Sequence, residues 1–190
     1  MNMKQQVVAA LLAISFGGSA YAQENYAIDP YHTFPYFQVS HLGFSVMHGR
    51  FNKTGGKITL DRAAKQGTID ISIEAASIDT GHGKRDTHLK SDDFFNVDKY
   101  PALTFTSKKL KFSGDKLVGA EGELTLLGVT KPVSLALSHF HCGPHPISKK
   151  ETCGANAATT IKRSDFGMRY ALPGVGDYIT IAIEVEAVRD

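Results

Sequence analysis

Residues 179–186 read Ile-Thr-Ile-Ala-Ile-Glu-Val-Glu, and this stretch indicates the class of fold. Apolar residues occupy every second position from Ile179 to Val185, with small or polar residues between them. A period of two places alternate side chains on opposite faces of a β-strand, whereas an amphipathic helix needs apolar residues three and four apart. The stretch therefore predicts a strand with one apolar and one polar face, as in antiparallel sheets.

The same alternation recurs along the chain, separated by turn signals rich in Gly, Asp and Lys. The other alternating runs are residues 58–60, 68–74, 103–106 and 133–138. Only Gly83–Lys90 predicts a helix, and no composition break or repeat divides residues 23–190. We expect one all-β domain of about eight strands with a single short helix. A sandwich and a closed barrel would both bury the apolar faces, and patterning alone does not choose between them.

Residues 1–22 have the features of a secretory signal peptide. Lys4 precedes an apolar run over residues 7–16, and the segment ends in Ala20-Tyr21-Ala22. A positive start, an apolar core of about ten residues and a small-x-small site make a cleavable leader. A membrane-spanning helix would need about 20 apolar residues. We expect cleavage after Ala22 and export of residues 23–190, to the periplasm in a bacterium with two membranes.

Composition and motifs exclude several classes of protein. With 42% hydrophobic and 21% charged residues, the chain is an ordinary globular protein rather than a disordered or collagen-like one. Its net charge of +2 is scattered, which argues against a nucleic-acid partner. The motifs of serine hydrolases, zinc proteases and phosphate-binding loops are missing, so no catalytic residue is predicted. Arg85, Asp86 and His88 are the best candidates for a catalytic cluster, but the sequence favours a salt bridge and a capping contact.

Cys142 and Cys153 are the two cysteines of the chain. An exported protein places them in an oxidising compartment, where closing so short a loop would stabilise the fold by roughly 3 kcal/mol. His139, His141 and His145 crowd the same segment, so a metal site using residues 139–153 is the alternative. Compartment and spacing favour the disulfide, because the order of these residues matches no standard zinc motif.

An ordered set of motifs resembles the YceI family and spans nearly all of residues 24–190. These motifs are Ile28-Asp29-x-x-His32, Val39-x-His41-Leu42-Gly43, Gly49-x-Phe51, Ser77-Ile78-Asp79-Thr80, Arg85-Asp86-x-His88-Leu89, Tyr100-Pro101-x-x-Thr104-Phe105-x-Ser107, Gly122-x-Leu124-Thr125-Leu126-x-Gly128-Val129-Thr130-Lys131-Pro132-Val133 and Arg163-Ser164-Asp165-Phe166-Gly167. The resemblance implies an extended eight-stranded antiparallel lipocalin-like barrel with one short helix, around an elongated apolar cavity.

The resemblance also implies a function. Family members are exported, and their characterised ligands are long isoprenoid chains such as quinones or polyprenyl lipids. We therefore expect a periplasmic binding or carrier protein that is not an enzyme and has no cofactor besides the bound lipid. An enzyme acting on an isoprenoid and a metal-binding stress protein are the alternatives. Transient contact with a membrane or a membrane redox protein is expected, and the chain would be a monomer or a homodimer.

The apolar face of each strand is expected to form the inner wall of such a barrel. Aromatic and methionine side chains give an apolar tail a large, adaptable contact area. Core packing explains each single residue as well as ligand contact does, so the prediction concerns the face more than its members. The predicted ligand-binding residues are Phe37, Val39, His41, Phe44, Val46, Phe94, Phe95, Leu103, Phe105, Leu124, Leu126, Phe166, Met168 and Tyr170.

Overall fold

The alternating runs pair into one continuous antiparallel sheet in the computed structural model, which describes residues 23–190. Its segments are β1 (Glu24–Ile28), β2 (Phe34–His41), β3 (Ser45–Phe51), β4 (Thr54–Asp61), β5 (Gln66–Glu74), β6 (Ile78–Asp79), α1 (Gly83–Lys90), β7 (Ala102–Ser113), β8 (Lys116–Leu126), β9 (Val129–Pro144), β10 (Glu151–Lys162) and β11 (Val175–Arg189). Short 3-10 turns occupy Ala75–Ser77 and Arg163–Phe166. The predicted signal peptide lies outside the described residues. Within residues 23–190, no helix has the length and apolar character needed to cross a bilayer.

The sheet closes on itself because β11 pairs with β10 on one side and with both β1 and β2 on the other. β1 and β2 pair with different parts of β11 and together occupy one place in the ring. The next place is shared by β4, which pairs with β1, and β3, which pairs with β2. β5 and β6 continue the ring beside β4 and β3, and β7, β8, β9 and β10 complete it. The ring thus has eight strand places, which confirms the barrel that the family resemblance implied.

The helix α1 spans Gly83–Lys90, as the sequence predicted. At its start, the Arg85 N–H donates to Nδ1 of His82 over 3.3 Å, and at its end the Ser91 hydroxyl donates to the His88 carbonyl over 2.8 Å. None of its residues is buried. The segment after it returns Phe94 to the barrel core, so α1 and this segment lie against one end of the barrel.

The core consists of two clusters of buried side chains, which belong to different ends of the strands. The first cluster, beside α1, is formed by Phe51, Ala75, Ile78, Phe94, Leu103, Phe105, Leu124, Leu126, Phe166 and Met168. The second cluster, near the β9–β10 hairpin, is formed by Tyr26, Ile28, Leu60, Cys153 and Ala187.

Cys142 and Cys153 form the predicted disulfide, with an S–S distance of 2.02 Å. They are directly opposed residues of β9 and β10, so the bond joins neighbouring strands of the hairpin. Both sulfurs are therefore in a covalent bond and are not thiolate ligands. The alternative of a metal site that uses these cysteines is wrong.

Candidate functional site

A cavity of about 270 Å³ lies inside the barrel, and members of both core clusters line it. Ile179, Ile181, Ile183 and Val185, the apolar positions of the opening sequence stretch, all line its wall. Ile69, Ile71 and Ile73 of β5 do the same. The inward apolar faces of the strands thus form the inner wall, as predicted, and the surface they present to the cavity is apolar.

Nine of the predicted ligand-binding residues line this cavity. They are Phe37, Val39, Phe94, Phe95, Leu103, Phe105, Leu124, Leu126 and Met168. At the end beside α1 the aromatic rings pack on one another, and the Phe51 ring centroid lies 6.0 Å from that of Phe37 and 5.4 Å from that of Phe95. These contacts make that end of the cavity a wall of aromatic rings.

The other five predicted residues, His41, Phe44, Val46, Phe166 and Tyr170, lie outside the cavity wall, and the structure corrects their placement. Phe44 is 89% exposed at the β2–β3 turn, and Tyr170 is 46% exposed. Val46 lies opposite Ser40 on the outward face, because the turn restarts the alternation. His41 ends β2 beyond the cavity, and Phe166 is buried in the first cluster behind the wall.

Arg163 is a buried cation beside the cavity that the sequence analysis did not select. Its side chain is 2% exposed and lines the cavity. Its guanidinium donates to the carbonyl oxygens of Met168, Tyr170, Val175 and Gly176 over 2.8–3.1 Å. Burial lowers the pKa of Arg163, but a guanidinium stays protonated in proteins. Arg163 therefore holds the segment 168–176 against this end of the barrel through its hydrogen bonds.

Two tyrosines beside the cavity have their hydroxyls bound to glutamates. The Tyr26 hydroxyl donates to a Glu24 carboxylate oxygen over 2.6 Å, and the Tyr36 hydroxyl donates to Glu184 over 2.7 Å. Burial, together with the hydrogen bond to Glu24, raises the pKa of Tyr26 to about 12. The Tyr26 ring thus contributes apolar surface to the wall, whereas the Tyr36 ring lies on the outward face of β2 with Ala182 and Glu184.

Arg85, Asp86 and His88 lie outside the cavity wall and have structural partners. Asp86 Oδ1 accepts from the Thr80 N–H over 2.9 Å, and Arg85 Nε donates to the Thr80 hydroxyl over 2.7 Å. His88 Nε2 lies 2.8 Å from an Asp93 carboxylate oxygen. The first two residues fasten α1 to β6 through Thr80, and the third fastens α1 to the segment that follows it. The sequence favoured structural contacts for these three residues, and the structure has such contacts. Their partners are Thr80 and Asp93.

A second depression, on the outer surface, gathers the histidines that suggested a metal site. His32, His139, His141 and His145 line it. Beside it, ligating atoms of Asp29, His32 and Glu186 lie within 4.8 Å of one another, so within residues 23–190 these three residues could together hold a cation. His32 Nδ1 lies 2.8 Å from Asp29 Oδ2.

The close pair of Asp29 and His32 accounts for this geometry without a metal. The hydrogen bond to Asp29 raises the pKa of His32. Partial burial alone would raise the pKa of Asp29, but hydrogen bonds from His32 and from the Tyr31 N–H bring it below its usual value. Asp29 and His32 lie together because each stabilises the charged form of the other.

Comparison with known proteins gives consistent matches over the whole barrel. Residues 26–187 match the YceI-like domain family. Protein YceI of Shigella flexneri is 36% identical over 191 residues, which cover 98% of this chain and 99% of that protein. The crystal structure of the Campylobacter jejuni YceI protein has a TM-score of 0.68 and 28% identity, covering 97% of this chain and 99% of that one. A polyisoprenoid binding domain from Saccharophagus degradans has a TM-score of 0.63, covering 87% of this chain and 98% of its own; its 18% identity shows likeness of fold alone.

Proposed function

Because the chain belongs to the YceI-like domain family, we propose that it binds one long isoprenoid lipid, of the quinone or polyprenyl type, inside its barrel. The observation that carries this proposal is the apolar cavity of about 270 Å³ enclosed by the strands. Pockets for small molecules have volumes of roughly 300–1,000 Å³, and this cavity lies just below that range. It therefore suits a single slender chain.

The energetics of burial favour such a ligand. Each CH₂ group moved from water into the apolar wall contributes about 0.8 kcal/mol, before the entropy of ordering the chain is subtracted. A chain of about twenty carbons reaches useful affinity on this term without a network of polar contacts. Affinity should accordingly rise with chain length until the cavity is full.

Binding without turnover is the form of this function that the site supports. Catalysis requires a nucleophile, a base or a metal within hydrogen-bond reach of a reacting atom. Among residues 23–190, the ionisable side chains that face the cavity wall, Arg163 and Tyr26, have their polar atoms in hydrogen bonds to the protein. The leader-like residues 1–22 support export, so we place the carrier in the periplasm.

The test is to express the full chain with its leader in a two-membrane bacterium and to isolate the protein from the periplasm. Native mass spectrometry should show one bound lipid per barrel, and lipid extraction gives its mass. The delipidated protein should rebind isoprenoid alcohols of fifteen to forty carbons with 1:1 stoichiometry and return them unchanged. Folded, delipidated protein that binds none of them would overturn the proposal. A product formed from the bound lipid would make the protein an enzyme instead.

A further inference from the structure

Large apolar side chains are exposed at the end of the barrel beside α1, and none of them belongs to the cavity wall. Single exposed apolar residues are ordinary on a protein surface, whereas a cluster of them marks a place of interaction. Five of the seven exposed large apolar residues within 23–190 lie at this end, in the β2–β3 hairpin, the segment 168–176 and the start of β11. The seven are Tyr31, Leu42, Phe44, Val46, Ile147, Tyr170 and Tyr178.

The segments that carry this cluster contact one another. The Leu42 N–H donates to the Gly174 carbonyl over 2.7 Å, and a Cβ atom at Gly174 would come within 3.0 Å of the Leu42 side chain. His41 pairs with Val175 in the sheet, which places the β2–β3 turn beside the start of β11. These segments carry the apolar rim of this end of the barrel, which consists of Leu42, Phe44, Tyr170 and Tyr178.

The β2–β3 turn has a leucine where turn geometry favours another residue. The Phe44 N–H donates to the His41 carbonyl over 3.0 Å, and the two residues between them, Leu42 and Gly43, have φ angles of 53° and 74°. Positive φ at both central residues is the type I′ hairpin turn, which favours Asn, Asp or Gly at the first of them. A leucine in this left-handed conformation is strained.

The β8–β9 turn shows what normally offsets this strain. It has the same pair of residues, Leu127 and Gly128, with φ angles of 53° and 73°. Leu127 packs against the first core cluster, and burial of its side chain stabilises the fold. Leu42 is 58% exposed and belongs to neither core cluster. Core packing therefore does not explain why a leucine occupies the β2–β3 turn.

We propose that the apolar rim is the surface by which the protein docks on a lipid bilayer. The inference rests on the proposed function, because a long isoprenoid is far more soluble in a bilayer than in water and has to be collected there. In the docked protein, Leu42 and Phe44 enter the boundary between headgroups and acyl chains. The amphipathic rings of Tyr170 and Tyr178 lie at the level of the headgroups.

The shape of the rim fits a fluid lipid surface better than a second protein. Phe44 is almost fully exposed, so its ring projects from the tip of a turn and lines no groove that a partner side chain could fill. Protein interfaces depend on closely matched shapes in their buried centre. Acyl chains instead adapt to whatever side chain enters them, so a projecting ring suits a bilayer.

The charges around the rim are also compatible with lipid headgroups. Residues 38–51 and 166–176 contain no carboxylate, so within these two stretches lipid phosphates meet no like charge. Lys162 and Arg169 are exposed, and the Lys162 Nζ lies 5.3 Å from the centroid of the Tyr178 ring. Tyrosine together with lysine or arginine is the combination that anchors proteins at a membrane interface.

The same segments also form the cavity wall at this end of the barrel. Met168 and Val175 line the cavity from the segment 168–176. Val39 lines it from β2, two residues before His41. A lipid collected at the apolar rim is therefore next to the end of the cavity that is to hold it.

The test measures docking and lipid transfer, using delipidated protein and vesicles of phosphatidylcholine and phosphatidylglycerol that contain the C20 alcohol geranylgeraniol. Phe44→Ser should lower the partition coefficient onto the vesicles by about tenfold, because burial of a phenyl group is lost. It should slow transfer of geranylgeraniol from vesicles to the barrel by a similar factor. The Kd for geranylgeraniol added without vesicles should stay within about twofold, since Phe44 lies outside the cavity wall.

Ile147→Ser is the matched control for the position of the surface. Ile147 is 86% exposed in the β9–β10 loop, at the other end of the barrel. Its replacement should leave both the partition coefficient and the transfer rate unchanged.

Two further variants test the argument from the turns. Leu42→Asn should weaken partition onto vesicles and raise the melting temperature, because asparagine suits a positive φ angle. Leu127→Asn makes the same change in the β8–β9 turn, where it should lower the melting temperature and leave partition unchanged. A lower melting temperature for Leu42→Asn would show that this leucine serves the fold, which contradicts the argument from the turns.

The outcomes distinguish docking from lipid binding. If Phe44→Ser and Ile147→Ser lower partition equally, or neither lowers it, the apolar rim is not the docking surface while lipid binding stands. If wild type sediments as a dimer without vesicles and Phe44→Ser as a monomer, the rim is an interface between two copies of the chain instead. If wild type binds geranylgeraniol neither from vesicles nor in their absence, the proposed function fails as well.

Discussion

Filling the cavity from its wall should abolish most of the lipid affinity while leaving the barrel folded. Val39 of β2 lines the cavity and lies opposite Ile179 and Met47 in the sheet. Val39→Trp adds about seven non-hydrogen atoms, which project into a space of about 270 Å³. If the ring displaces three to four ligand carbons, the loss at roughly 0.8 kcal/mol each is near 3 kcal/mol, or about 100-fold in Kd.

The cost to the fold should be smaller. An extra ring in a filled core destabilises by about 1–3 kcal/mol, but here the cavity receives most of it. Val46→Trp is the matched control, because Val46 is on the neighbouring strand, is 52% exposed and faces outward. It should change neither the Kd nor the free energy of unfolding by a measurable amount.

The assay is titration of delipidated wild type and both variants with geranylgeraniol, followed by urea unfolding of each empty protein. Equal affinity of Val39→Trp and Val46→Trp would refute the reasoning, because the lipid would then lie outside the cavity. If Val39→Trp unfolds with a midpoint far below wild type, Val39→Phe repeats the test with a smaller ring, and the expected loss of affinity falls in proportion.

Three further predictions concern stability and charge. Replacing Cys142 and Cys153 together by alanine should lower the free energy of unfolding in urea by about 2–4 kcal/mol; an unchanged midpoint would show that the bond does not constrain the unfolded chain. The NMR titration midpoint of His32 should lie above its ordinary value of about 6.5 and fall in Asp29→Asn. Because the pKa of His32 is raised in the folded state, the contribution of protonated His32 is fully present below its ordinary pKa, as long as Asp29 is ionised, and is lost as pH rises through the folded value. A midpoint at or below 6.5 contradicts the pairing. Arg163→Met should lower the free energy of unfolding by more than about 3 kcal/mol, since it leaves buried carbonyls without donors, and thermal unfolding close to that of wild type would show that the segment 168–176 holds itself.

The inner wall was predictable because alternation is a local property of the chain. Ile179 and Ile181 face the cavity as their spacing requires. Closure of the sheet into a barrel was not predictable from the pattern. It depends on the pairing of β1 with β11, which are far apart in the sequence, and the strands of a sandwich show the same alternation. The family resemblance supplied that choice.

The errors at the site have equally local causes. Phe44 and Val46 are apolar and close to β2, but the β2–β3 turn places Val46 on the outward face and Phe44 in solvent. Arg163 was missed because hydrophobic periodicity carries no information about buried polar residues. Two of its partners, the Met168 and Tyr170 carbonyls, belong to a segment with no strand pattern, and the other two belong to the first residues of β11.

The seam of the barrel has a consequence for how the chain folds. β11 is the last of the described strands to be synthesised, yet it pairs with β1, β2 and β10. Until it arrives, those strands present unpaired edges and the apolar inner wall faces water, the condition that favours edge-to-edge association between chains. Closing contacts between segments so far apart in sequence also makes folding slow, on the scale of milliseconds to seconds. Truncation before Val175 would therefore give an aggregating chain rather than a smaller barrel. For the full chain, the yield of native protein depends on whether β11 pairs before two incompletely folded chains associate.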